Sequence, residues 1–283
     1  MLFADSRFPG GGHVHSGGLE EAAARGLVRD EADLPAFLTG RLRTAGALAA
    51  VFAAAAAHGG DWAVLEAELD ARTPSAAQRE ASRAQGAATA RAAAAMFPPT
   101  SHQPPVRDAS NSRSTVRYPG GPPPPDPGAG PVPSLPAGAD ENGDVDLPVD
   151  NPGLGVDSSG GERKVRAGIG ALLGEVRRPH HAIVLGAAVA AGGGGPRDAA
   201  LAAAYLSVSG PASAGVRLLG LDPLRVNGIV AALAGVVTEV ADRAALTADR
   251  APADLPAPGA PGLDLLSEEH RRHHREQVRL FAS

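Results

Sequence analysis

His13 and His15 are the first residues whose spacing could do chemistry, and they lie in a run from Asp5 to Glu20 that reads D-S-R-F-P-G-G-G-H-V-H-S-G-G-L-E. An H-x-H on a strand puts both imidazoles on one face, and zinc or nickel accepts such nitrogens. A second metal-like group is His270, His273 and His274 near the end of the chain. On a helix, residues three or four apart share a face. His180 and His181 form a third pair just before an apolar segment, placed to cap a helix or to sit in a core. For the first pair the preferred reading is a turn whose polar side chains bond to neighbouring backbone groups. For the tail it is a solvated charged face.

Other chemistries lack their residues. A phosphate-cradling G-x-x-x-x-G-K-[ST] needs a lysine in that context, and the single lysine, Lys164, follows Arg163 and does not fit. The nucleophile elbow G-x-S-x-G fails at Ser16 and Ser213, where Val14 and Pro211 occupy the first glycine position. With no cysteine, the chain has no disulfide, thiolate ligand or cysteine nucleophile. No acid–base dyad stands out, and no catalytic residue is nominated.

The elements that hold these residues follow from composition. Apolar residues make up 43% of 283 residues while aromatics are only 3%, so the core must be built from alanine, leucine and valine. Alanine and leucine favour helix, and strand formers are scarce. An all-α protein of roughly eight to ten helices is expected. A net charge of −5 gives no electrostatic footprint for nucleic acid or an anionic membrane. The chain shows no basic-then-apolar leader, and its apolar runs are interrupted by Gly or polar residues before reaching the length of a span. A cytoplasmic location is expected.

In order, Leu19 to Val28 reads as a short helix. Asp33 is an expected N-cap for a helix whose buried face carries Leu34, Phe37, Leu38, Leu42, Ala45, Leu48, Ala49 and Phe52, ending at His58-Gly59-Gly60. Asp61 caps the next helix, and Thr73-Pro74 opens another that runs to Phe97. Residues 1–97 are thus an N-terminal helical half. Residues 98–163 are rich in Pro, Gly, Ser and Asp, a composition unable to bury enough apolar surface to offset ordering entropy, and are expected to be a long disordered insertion. A C-terminal half of the same domain spans 164–250, with Ile183, Val184, Leu185 and Val189 buried up to the glycines at 192–195. Further helices are expected from Ala199 to Val208, Ala212 to Leu219 and Leu224 to Ala245. A linker, 251–263, precedes a charged tail, 264–283, whose apolar end is Leu280-Phe281. Such a tail docks elsewhere, on its own chain or on a partner.

Taken together, these segments resemble the UreF family of urease accessory proteins. Its N-terminal signature is matched by Ala4, Asp5, Ser6, Pro9, Gly11, Gly12, His15, Ser16, Gly18, Leu19 and Glu20. Similar too are R-E-A-S-R-A-Q-G from Arg79 to Gly86, the stretch from His180 to Gly186, A-G-V-R-L around Arg217, and the terminal R-L-F-A-S with His273 before it. The sequence departs from the family where His274 replaces a glutamate and where the Pro-rich insertion is longer. The resemblance implies a UreF-like helical bundle acting as a non-catalytic, dimeric scaffold. It would link a UreD/UreH-type protein and the GTPase UreG for GTP-dependent nickel insertion into apo-urease, and could modulate UreG turnover. Arg279, Leu280, Phe281, Ser283 and His273 are its implied partner-binding residues. No cofactor is expected to be held stably, since the complex handles nickel and GTP. The alternative reading is a nickel metallochaperone that binds the ion itself through His13 and His15 or the tail histidines.

Overall fold

Alanine decides how closely the helices pack. The computed structural model describes residues 15–97 and 176–281, with side chains through residue 273. Among the described residues there are helices and no strands. The expected insertion at 98–163, and the start of the second half up to residue 175, lie outside them.

Helix α1 is Leu19–Ala24 and α2 is Leu34–Arg41. A five-residue π-turn, Leu42–Gly46, leads directly into α3, Ala47–His58. Then come α4, Trp62–Ala71, and α5, Ala76–Met96. The second half comprises α6, His181–Ala191; α7, Pro196–Leu219; α8, Pro223–Ala232; and α9, Ala234–Ala245. A 3₁₀ turn at Pro252–Asp254 precedes α10, Pro261–Phe281.

Helices α3, α6 and α7 pack on one another at the centre, with α9 against α3 and α7 and with α5 against α6. Helix α3 is apolar all round and buries every residue from Ala50 to Ala56, and α6 is likewise buried from Ala182 to Val189. A helix with no polar face must be internal. Gly186 permits the tightest contact of this layer, since a Cβ there would lie 2.2 Å from the Ala53 carbonyl oxygen of α3. Leu34, Leu38, Leu42 and Phe52 are all fully buried, as their spacing predicts. Gly59 ends α3 in a left-handed conformation at φ 100°, and Asp61 caps α4 by accepting from the Ala63 and Val64 amides.

Several boundaries differ from the sequence expectation. Asp33 occupies the N-cap position but makes no cap bond, because its carboxylate is held by the Arg29 amide and guanidinium. The expected single helix from Leu224 to Ala245 is two helices meeting at Leu233 with a 45° bend. Conversely, α7 runs unbroken through Gly210-Pro211, where two helices are expected. By length and composition α7 is apolar enough to cross a membrane, and 56% of the qualifying window is buried against its neighbours. The stretch read as a linker is fastened to the body: Leu255 is buried, and the Arg72 guanidinium donates to the Ala253 carbonyl.

Candidate functional site

A groove of about 1600 Å³ runs between the start of α1, α2, α5, α7 and the C-terminal helix α10. Three polar clusters border it, and each joins segments far apart in sequence.

The first centres on His180, which is only 1% exposed. Its amide donates to Glu66 Oε1 at 2.8 Å, its Nε2 lies 2.9 Å from Asp70 Oδ1, and its Nδ1 lies 2.9 Å from Ser82 Oγ. Burial is the main cause that lowers the His180 pKa, so the ring is neutral and carries one proton. The carboxylate of Asp70 requires that proton on Nε2, which leaves Nδ1 to accept from the Ser82 hydroxyl. Ser82 Oγ also accepts from the His181 amide at 3.3 Å, and Arg83 donates to Asp70 Oδ2 at 2.6 Å. The first amides of α6 are therefore capped from outside, by Glu66 of α4 and Ser82 of α5. Gly86 makes the approach possible, because a Cβ there would stand 2.0 Å from the Pro179 carbonyl oxygen. Serine, histidine and carboxylate stand in series as in a hydrolase. Ser82, however, sits in the middle of α5, where its own amide is spent on the helix, and His180, though at the groove wall, is only 1% exposed with both ring nitrogens already engaged by Ser82 and Asp70. The series welds three helices.

Glu66 is the strained member. Oε2 is buried without a hydrogen-bond partner, and burial pushes the carboxyl up to about 7. His181, half-buried and close to His15, is pushed down to about 4, chiefly by desolvation.

The second cluster explains Gly17 of the glycine-rich run. Pro211 has no amide proton, so the Ser207 carbonyl one turn earlier loses its helical donor. Arg41 of α2 replaces it, Nε donating to Ser207 O at 3.0 Å, while Nη1 donates to the Gly17 carbonyl at 2.7 Å. Gly17, at φ 62°, lies flat on the guanidinium, and a Cβ there would meet Arg41 Cζ and Pro211 Cγ at 2.9 Å each. This is a position only glycine fills without strain.

The third cluster docks the tail on its own chain. Glu268 of α10 accepts from the Ser75 hydroxyl and the Ala77 amide, both at 2.8 Å, so it completes the N-cap of α5. The Ala77 amide is the largest influence holding the Glu268 carboxyl below its ordinary value. Gln78 donates to Asp264 Oδ1 at 2.8 Å. One turn further, His273 Nδ1 lies 3.2 Å from Oε2 of buried Glu21, whose Oε1 takes the Arg25 guanidinium at 2.8 Å. Burial would raise the Glu21 carboxyl, but Arg25 and His273 outweigh it and keep it ionised. Replacing Glu268 by alanine is expected to cost about 1–2 kcal/mol, the price of a cap and a charge-assisted bond. Hydrogen exchange should show lost protection in both the first turn of α5 and α10. Loss confined to α10 would contradict the capping role.

These clusters redistribute the sequence candidates. Of the signature, His15, Ser16, Gly18, Leu19 and Glu20 are described: the Ser16 carbonyl accepts from Leu19, Gly18 precedes α1, and Leu19 is fully buried. Asp5, Ser6, Pro9, Gly11, Gly12 and His13 lie outside the described residues. His15 and Arg217 both line the groove. His270 and His273 face Glu20 and Glu21 of α1 respectively. The side chains of His274, Arg279, Leu280, Phe281 and Ser283 lie outside the described set. Among the described residues, no three His, Asp or Glu side chains gather as a metal-holding group. Arg41, Glu21, Glu66, Asp70, Ser82 and Glu268 are absent from the sequence candidates. Only Ser82 carried a signal, since it sits in the R-E-A-S-R-A-Q-G segment.

The two family-like segments, Arg79 to Gly86 and His180 to Gly186, are thus the two sides of one buried network. The UreF family model matches residues 28–234, which contain both. This chain belongs to the UreF family. It is 34% identical over 287 residues to the urease accessory protein UreF of Mycolicibacterium vanbaalenii, covering 100% of this chain and 97% of that protein. It is 35% identical over 285 residues to UreF of Mycobacterium sp. strain JLS and 34% identical over 286 residues to UreF of Mycobacterium tuberculosis H37Rv, each with 100% and 97% coverage. UreF membership and the all-helical fold agree with what the sequence implies.

Proposed function

We propose that this chain is a cytoplasmic, non-catalytic urease accessory scaffold. Acting as a dimer, it links a UreD/UreH-type protein to the GTPase UreG on apo-urease, where nickel is the cargo, and it modulates UreG turnover. The observation that carries this reading is the C-terminal helix. Its first turns are locked to α5 and α1 by Glu268 and His273, and the helix continues to Phe281 beyond the last of those bonds. A helix anchored at one end offers its other end at low entropic cost. Arg279, Leu280 and Phe281 belong to that end of the helix and, together with Ser283 after it in the sequence, form the contact to the UreD/UreH-type partner.

Deleting residues 278–283 removes this end and leaves the Glu268 and His273 contacts in place. Co-purification with the UreD/UreH-type protein is expected to drop at least about tenfold, close to 1.4 kcal/mol, while the melting temperature stays unchanged. Equal capture of the shortened and full-length chains would overturn the tail assignment.

A further inference from the structure

Arginines on this fold usually meet a carboxylate. Arg25 pairs with Glu21, Arg72 with Glu68, Arg83 with Asp70, Arg197 with Asp242 and Arg271 with Glu268. Among the described residues Arg41 meets none: its hydrogen bonds there go to main-chain carbonyls, those of Ser207 and Gly17. A carbonyl satisfies a donor without neutralising the charge. Burial alone pulls the Arg41 pKa down, to about 10, and the group is still protonated at neutral pH. A desolvated cation without a counterion is costly, and a fold retains one where something else supplies the negative charge.

The guanidinium has five donors, and the two carbonyls take one on Nε and one on Nη1. Among the described residues three remain without a partner, one on Nη1 and two on Nη2. The side chain is held in place, because its Nε and Nη1 bonds to the Ser207 and Gly17 carbonyls fix the plane of the fork. Arg41 lines the large groove together with Ser16, Ser209 and Arg178. A rigid planar fork with spare donors, set in a groove, matches the geometry of a carboxylate or phosphoryl group.

We propose that Arg41 anchors an oxyanion site in the groove, which binds a compact carboxylate or phosphoryl group by its Nη1 and Nη2 donors. The clamp on Ser207 and Gly17 is what pre-orients it. Ligand occupancy there would tie α2, the signature turn and the proline turn of α7 into one unit. This inference stands apart from the partner assignments and depends on none of them.

The test uses the full-length chain with ¹⁵N-labelled arginine, titrated with sodium phosphate or sodium formate against sodium chloride at equal ionic strength. One Nε–Hε resonance is expected to shift saturably with at least one of the two probes and not with chloride. Arg41→Gln should remove that resonance together with any rise in melting temperature caused by the probe. Arg41→Lys, which keeps the charge and loses the fork, should bind about tenfold more weakly. The preferred probe then identifies the ligand class, carboxylate or phosphoryl. The proposal is overturned if no arginine resonance responds below about 10 mM, weaker than roughly 3 kcal/mol of binding. It is equally overturned if Arg41→Gln keeps the same thermal response. Should Arg41→Gln not fold, the wild-type titration and the lysine variant decide.

Discussion

Gly186→Ala is expected to destabilise the protein by about 3 kcal/mol or more, the upper range for overpacking a core. Its Cβ would stand 2.2 Å from the Ala53 carbonyl oxygen and 2.9 Å from Ala56 Cβ. The obstacle is the backbone of α3, which no rotamer change can move. Helices α3 and α6 would have to separate, and each is packed on α7 as well. Gly228 of α8 is the control, since nothing lies within 4 Å of its added Cβ. There alanine should be neutral or stabilise by up to about 1 kcal/mol through helix propensity. Urea unfolding of both variants measures the contrast, and a Gly186→Ala midpoint equal to that of the wild type would refute the close helix contact.

Glu66→Gln is expected to change how stability depends on pH. The Glu66 carboxyl is raised from 4.5 to about 7, chiefly by burial. A group raised in the folded state contributes stability below its unfolded value, and loses it as pH climbs through the folded value. Wild type therefore gives up as much as about 3 kcal/mol from this group between pH 4.5 and 7. His181 works in the other direction. Its pKa is lowered to about 4, so its stabilising contribution is present above 6.5 and fades as pH falls toward 4. The two slopes oppose each other over nearly the same window, so together these groups leave stability almost flat between about pH 4.5 and 6.5. Glutamine keeps the acceptor for the His180 amide and cannot ionise. The stability of wild type relative to Glu66→Gln should fall by about 2–3 kcal/mol between pH 5 and pH 8 in urea titrations. A difference that is the same at both pH values would show that Glu66 titrates normally and that the His180 cluster does not desolvate it.

Both predictions turn on close approaches between segments that are distant in the chain, which is where sequence reasoning is weakest. The buried face from Leu34 to Phe52 was legible because side-chain direction on a helix follows residue spacing. The five-residue π-turn inside it was not, and it ends at a contact with a distant helix: a Cβ at Gly46 would come within 2.4 Å of Ser207 Oγ on α7. Asp61 as a cap was readable because the capped amides are two and three residues away. Asp33 was misread because a nearer arginine competes for the same carboxylate.

The candidate site divides the same way. The glycine-rich signature, the tail and the paired histidines were visible as residue types, and the family resemblance gave their order. Their roles were not visible. His13 with His15, or alternatively the tail histidines, read as possible nickel ligands, whereas His15 lies beside His181, and His270 and His273 face glutamates of α1.

By itself the sequence determined an all-helical body made of alanine and leucine, the register of most helices, and UreF membership. These follow from local propensity, periodicity and motif order, all written in neighbouring residues. Only the tertiary structure decided that α7 continues through Pro211. A proline removes a helical donor wherever it stands, and whether the helix breaks depends on a replacement arriving. Here the replacement is Arg41, 166 residues before its acceptor at Ser207, and no local pattern could announce it.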